Sequence, residues 1–367
     1  MPELKTEHST SRLAAVLREL AVPLVSVAIA AIIGSIIMLI AGFDPLAAYA
    51  AMFKGAFGGG RQIGETMLRS TPLMFTGLAV AYGFRAGLFN IGAEGQLFMG
   101  GLSAAWLGIV LAGMPRPLNI ILMLVAGAAI GAAWAFIPAL LKAKVGAHEV
   151  ITTMMFTYIG RYIVSWLVTG PLKAEGQIPQ TNRLPVESTL PKMHEMLPFL
   201  TPSRVHLGFV VAIILAFFIW WVLKYTSLGY ESRAVGYNPW ASETGGISVS
   251  ATTIKALCIS GALAGLAGVT EVMGVHMRLF DQFSAGFGFT GIAVALLAKN
   301  NPIGVIAAAI LFGGLSAGGG TMQLEADVPQ KVILIIQALI IFLVAAEQIA
   351  RWVIGWTDRR GATEHAG

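Results

Sequence analysis

Asn90, Glu94 and Gln96 stand where hydrocarbon is expected. They lie in GFRAGLFNIGAEGQLFMGG, residues 83–101, inside an otherwise apolar, Gly-rich run. Leaving such groups unpartnered in an apolar medium costs several kcal/mol. Two chemistries account for them. Glycines 87, 92, 95 and 100 bracket the trio, and Gly tolerates unusual backbone angles and close approach. A broken or re-entrant segment exposes backbone groups that need partners in protein or beside water, and Asn90 and Gln96 can supply them as a polar staple. The second chemistry is the lining of a transport path. Glu94 favours it, because acids inside a membrane usually face a cavity. The two roles are compatible.

A second group lies in GAHEVITTMMFTY, residues 146–158. Glu149 can stabilise a helix N-terminus through the helix dipole, while Thr152 and Thr153 can bond back to the helix or across it. Capping and path-lining both remain open for these three. His148 has no second ligand at metal-site spacing, so no metal site is expected. Glu271, in GVTEVMG, closes an apolar run as a rim charge or a substrate contact. Phe287 and Phe289, in SAGFGFTGIAVALLAKNNPIG, either pack or offer a stacking platform to a planar ligand. Stacking on a base is worth about 1–3 kcal/mol.

The chemistry of enzymes is missing. No G-x-x-x-x-G-K-[ST] phosphate loop occurs; GGGRQIGET at 58–66 is Gly-rich but has no Lys at the required place. There is no GxSxG elbow and no H-E-x-x-H pair. No catalytic residue and no cofactor of the chain's own are expected. If ATP powers this protein, another subunit binds it with its Mg.

These side chains need a scaffold, and composition says which. Of 367 residues, 56% are hydrophobic and 12% charged, roughly half the charged share of a soluble domain. The mean hydropathy is +0.76. Such a chain cannot keep a surface wet, and the reading is an all-α polytopic membrane protein. The 43 glycines suit close helix packing in lipid. A net charge of +5 fits Lys and Arg retained on the cytoplasmic side; no basic run is interleaved with aromatics, so nucleic acid is not a partner. Cys258 is the single cysteine, which excludes an intramolecular disulfide.

A span needs about 20 apolar residues. Ten segments are candidates: 21–42, 70–84, 87–112, 118–141, 148–170, 206–223, 253–275, 285–298, 302–319 and 331–350. The first is too long for a signal-peptide core and reads as an uncleaved helix. The short loops on one side are cleanly basic, which places both termini in the cytoplasm. The expected organisation is a cytoplasmic segment 1–20, a transmembrane domain 21–350 and a cytoplasmic tail 351–367. Residues 43–69 and 320–330 fall in outer loops. So does 171–205, Pro-rich, polar and too long for a simple connection. The inner loop 224–252 has an Asn238-Pro239 turn signal, and its middle suits a short helix with Pro239 in the first turn. FMGGLSA at 98–104 echoes LFGGLSA at 311–317, as structural repeats around a central site would.

GLFNIGAEGQ at 87–96 resembles the hallmark of permease subunits of bacterial ABC importers for nucleosides and simple sugars, a family that also includes the ribose and branched-chain amino acid permeases. The resemblance continues through HEVITTMMFTYI, GQIPQT, RAVGYNPWASETGGI and GFGFTGIAVALLAKNNPIG, and covers about 60–350. It implies about ten helices in a fold similar to the vitamin B12 importer permease, a type II ABC importer, in the bacterial inner membrane. It implies a heterodimer with a second permease, of which EGQ resembles the longer member. It also implies a cytoplasmic ABC ATPase and a substrate-binding lipoprotein. ATPase coupling carries over to Arg233, Gly236, Asn238, Pro239, Ala241, Gly245 and Ile247. Thr157 departs from the pattern, where relatives often carry Asn, which puts specificity in question. The implied function is a nucleoside permease. The alternatives are a permease for simple sugars or another small polar metabolite, an ion-coupled secondary transporter, and a membrane scaffold or receptor. An ion-coupled carrier would leave Glu94 as its deep ionisable group and the docking-like loop without a purpose.

Overall fold

The computed structural model describes residues 24–195 and 203–345. The expected cytoplasmic ends, 1–20 and 351–367, lie outside the described residues. The chain divides into two compact units, Met1–Gly55 with Gly318–Gly367, and Ala56–Ala317. The helices are α1 (Leu24–Ile40), then α2 (Pro45–Phe57), α3 (Gly60–Arg85), α4 (Ala93–Val110), α5 (Arg116–Val145), α6 (Glu149–Thr169), α7 (Gly208–Tyr225), α8 (Ser227–Tyr237), α9 (Pro239–Thr244), α10 (Val249–Glu271), α11 (Phe287–Leu297), α12 (Pro302–Ala326) and α13 (Lys331–Ala345).

Four of these, counting α10 through His276, are long and apolar enough to cross a membrane by length and composition; α1, α11 and α13 are shorter apolar helices. The protein is therefore all-helical and multi-pass. Two expectations are corrected. Residues 43–69 are not a loop: α2 and the first third of α3 lie there, because Thr66 and Ser70 satisfy their hydroxyls on the carbonyls of Ala56 and Thr66. Buried polar groups with local partners do not end a helix. Likewise α12 runs to Ala326, which shrinks the 320–330 loop to its last few residues.

In the first unit, the Tyr49 hydroxyl donates to the Ala31 carbonyl at 2.7 Å, and Lys54 pairs with Glu325 at 2.8 Å on the surface. In the second unit α10 is the central helix, packed on α3, α4 and α5. Its GALAG motif, 261–265, faces GAAIG, 127–131, of α5. A Cβ on Gly265 would meet Gly131 Cα at 3.1 Å, and one on Gly268 would strike the Leu97 carbonyl of α4. Small side chains here let backbones touch, which substitutes for the hydrophobic drive that lipid cannot provide.

The two glycine pairs of the internal echo also sit at crossings: Gly100 against Gly265, and Gly313 against Ser70. After Glu271 the helix widens into a π turn, Val272–His276. The long outer loop straps over this turn and the residues just beyond it. Thr181 N–H donates to Leu279 O at 2.9 Å, Leu184 N–H to Met277 O at 2.8 Å and Leu190 N–H to Met273 O at 3.1 Å.

Candidate functional site: a broken helix pair and the exposed inner helices

The expected span 87–112 begins late. After Arg85 the chain leaves the helix and re-enters at Ala93. Gly87 takes φ +70° and its backbone abuts Gly236 of α8, where a Cβ would come within 3.0 Å of Gly236 Cα. Only glycine satisfies both conditions at once.

Asn90 and Gln96 close the break as a reciprocal amide pair. Asn90 Nδ2 donates to Gln96 Oε1 at 2.8 Å, and Gln96 Nε2 to Asn90 Oδ1 at 3.1 Å. Asn90 Nδ2 also reaches Ser260 Oγ at 2.8 Å, and Ser260 donates to the Ala79 carbonyl at 2.6 Å. One network thus ties α3, the break, α4 and α10 together. Asn90, Glu94 and Gln96 are 0%, 2% and 1% exposed.

Glu94 reaches a second helix. Its Oε2 accepts the Gly288 N–H at 2.6 Å, with the Ser284 hydroxyl and the Gly286 backbone also in reach. A carboxyl group thus sits on the N-terminus of α11 and gives its free N–H groups an acceptor. Gly286 precedes the helix at φ +85°. Thr76 of α3 donates to the Phe287 carbonyl at 3.0 Å from the other side.

Thr153 belongs to the same cluster: a Cβ on Gly92 would fall 3.0 Å from Thr153 Cβ and 2.9 Å from Asn90 Oδ1. Thr157 is buried, hydrogen-bonded to the Thr153 carbonyl at 3.2 Å, and its Cα lies 2.6 Å from where a Gly95 Cβ would be. Thr152 bonds to carbonyls of its own helix, including Glu149 at 3.2 Å. Glu149 pairs with Lys142 at 2.8 Å and so joins the end of α5 to the start of α6.

Glu271 is buried and 3.7 Å from His276 Nε2. It lies 11 residues beyond Ser260, about 16 Å along α10, so the structure does not bring it to the trio. Phe287 is half-buried, and Phe289 keeps 36% of its surface exposed.

Arg161 is the residue that sequence reasoning missed. It stands inside α6, its guanidinium 5.7 Å above the Phe98 ring and its Nη2 3.3 Å from Gln282 Oε1. Its charge acts on Glu94. An Arg in the middle of a predicted span is signal enough, since such residues mark pathways by default. Ser260 carries no comparable signal. Elsewhere in this unit Arg204 holds Glu65 through two hydrogen bonds of 3.0 and 2.9 Å, and that carboxylate raises the guanidinium above its ordinary value.

The inner loop 224–252 contains α8 and α9. Thr226 Oγ1 caps α8 on the Gly229 N–H at 3.2 Å; Asn238 Oδ1 caps α9 on the Ala241 N–H at 3.1 Å, with Pro239 in its first turn. This is the short helix that the Asn-Pro signal predicts. Gly245 and Ile247 close α9 by bonding the Ala241 and Ser242 carbonyls. Gly236 lies on the Arg85 carbonyl and Gly87, and the Tyr82 and Ser232 hydroxyls meet at 3.2 Å. Tyr237 and Trp240, on these two helices, are 85% and 81% exposed.

The sequence profile described as branched-chain amino acid transport system / permease component matches residues 62–345. The chain belongs to that family. Among curated members, it is 39% identical over 350 residues to the guanosine ABC transporter permease protein NupP of Bacillus subtilis, covering 94% of this chain and 99% of that one. It is 36% identical to the nucleoside ABC transporter permease protein NupB of Lactococcus lactis, over 90% and 92% of the two chains. It is 35% identical to the glucose ABC transporter permease protein TsgB13 of Haloferax volcanii, over 92% and 91%. No solved structure matches this family member. Permeases of this kind are transport components, not ATPases.

Proposed function

We propose that this permease forms the translocation path of an ATP-binding cassette importer for nucleosides. Its similarity over almost the full length of NupP and NupB supports the substrate class. The machine has about ten transmembrane helices per permease, both termini in the cytoplasm and a fold akin to the vitamin B12 importer permease, in the bacterial inner membrane. A second permease completes the path as a heterodimer, a lipoprotein delivers the substrate, and a cytoplasmic ATPase binds ATP and Mg.

The observation that carries the coupling is the pair of exposed aromatics on α8–α9, whose base touches the helix break. Trp240 and Tyr237 dock on the ATPase; the Gly236–Gly87 contact passes movement to the turn before Asn90. ATP then biases two arrangements of the bundle through differential contacts. Arg233, Asn238, Pro239, Ala241, Gly245 and Ile247 shape that docking element.

On the path side, the network of Asn90, Gln96, Thr153 and Glu94 holds the segment, while Phe287, Phe289 and Arg161 meet the substrate: rings for the base, a guanidinium for its acceptors. Glu149 with Thr152, and Glu271, act at the two ends. The similarity to TsgB13 favours one second reading, a sugar permease of the same architecture.

The test is uptake in proteoliposomes that hold the chain with its co-expressed neighbours. ATP-dependent accumulation of labelled guanosine or another nucleoside, outcompeting glucose, is the expected result. Accumulation of glucose alone would replace the substrate class and leave the machine in place.

A further inference from the structure

A cavity of about 170 Å³ opens beside α7, and its lining is Arg85, Trp220, Leu223, Lys224, Arg233, Asn301 and Pro302. Three cations from three helices converge there. Among the described residues none of the three forms an ion pair. Arg85 Nε is spent on the Asn300 carbonyl at 2.9 Å, and Arg233 Nε leans on the Gly229 carbonyl at 3.4 Å. Lys224 Nζ rests 5.0 Å over the Trp220 ring and 5.2 Å over Tyr225, so it is held against two rings with no carboxylate beside it. The N-terminus of α12, with Asn301 Oδ1 on the Ile303 N–H at 3.0 Å, adds the positive end of a 25-residue helix dipole.

The rest of the lining is largely apolar: Trp220, Leu223 and Pro302. Trp220 and Leu223 belong to a span whose neighbouring face exposes Ile214, Phe217, Phe218 and Trp221. Three cations and a tryptophan in one lining, beside a helix that exposes an apolar face, are the components of a headgroup site: basic pockets between spans bind lipid headgroups, and tryptophans gather at that level of the membrane. A soluble anion would need the cations but not the apolar wall. We infer that this cavity binds the phosphate of an anionic phospholipid, whose acyl chains lie along the exposed face of α7.

The site adjoins Arg233, so a bound lipid also steadies α8. Its occupancy does not depend on which substrate the permease carries.

The test uses the full chain purified in mild detergent, with dihexanoyl phosphatidylglycerol as the probe and dihexanoyl phosphatidylcholine and inorganic phosphate as the comparisons. The expected result is saturable binding of phosphatidylglycerol. It weakens about fivefold in Lys224→Gln and in Arg85→Gln, and is unchanged in Lys224→Arg and in Lys173→Gln on the outer loop, which does not line the cavity. Native mass spectrometry of the wild-type chain shows one tightly retained anionic lipid.

Equal binding of phosphatidylcholine overturns the inference. So does inorganic phosphate competing at the same concentration as the lipid, which makes this a free-anion site. Release of the retained lipid on adding the ATPase subunit also overturns it and assigns the cations to acidic side chains of that partner. The competition measurements need only wild-type protein, so a variant that fails to fold does not rescue the inference.

Discussion

Two regions of this protein carry conspicuous side chains, and they use them in opposite ways. Around the break at 86–92, the buried polar side chains are consumed internally: Asn90 and Gln96 on each other, Ser260 on Ala79, Glu94 on the end of α11. On α8 and α9 the fold consumes the small and capping residues and leaves the large ones, Tyr237 and Trp240, in the open. Buried polar atoms must be paired or they cost stability. Exposed aromatics cost little by themselves, and their clustering at one spot marks a contact surface. The first region reads as architecture that a path is built on, the second as a surface that awaits a partner.

Breaking the first region has the largest effect. Glu94→Leu strips the acceptor from the α11 N-terminus and lowers stability by roughly 2–3 kcal/mol, the upper range for leaving a buried donor unsatisfied. Thermal unfolding in detergent reads this, with Glu94→Gln falling between it and wild type because one acceptor remains. An unchanged melting temperature in both would mean that Glu94 is held for chemistry alone.

Trp240→Ala sharpens the contrast. Unfolding shifts by less than about 0.5 kcal/mol, as at an ordinary surface position, while association with the ATPase weakens by about 2 kcal/mol or more, as at an interface hot spot. Pull-down from membranes that contain all subunits measures it.

The junction between the regions is testable too. Gly236→Ala drives a Cβ into the Arg85 carbonyl. The expected outcome is retained membrane insertion with ATP hydrolysis uncoupled from uptake. Arg161→Gln leaves the staple untouched and raises the KM for uptake several-fold; an unchanged KM removes Arg161 from the path.

The smallest effect belongs to Ser260→Ala, which loses bonds worth about 0.6–1.7 kcal/mol in a membrane interior. Asn90 then keeps Gln96, and the break holds.

Much of this layout is legible in the sequence. The glycines around Asn90 announce the break, Asn238-Pro239 announces α9, and FNIGAEGQ announces the family. The rest escapes for physical reasons. Glu94's partner lies 194 residues away, and no local pattern records a helix N-terminus arriving from that distance. The 43–69 stretch reads as a loop because GRQIGETMLRS is polar, yet its Thr66 and Ser70 are buried and satisfied. Arg161 is legible but easily passed over: hydropathy averages dilute a single charge among its apolar neighbours, although that charge is the anomaly in the span.

Co-purification tests the central contrast most directly. The tagged chain is expressed with its genomic neighbours and recovered in mild detergent, beside the Trp240→Ala form. The account predicts that wild type carries a second permease and an ATPase with vanadate-sensitive hydrolysis, and that Trp240→Ala loses the ATPase while remaining folded. Recovery of the wild-type chain alone, moving nucleosides in liposomes without ATP, would contradict it. The buried Glu94 would then move from the architecture to the centre of an ion-coupled mechanism.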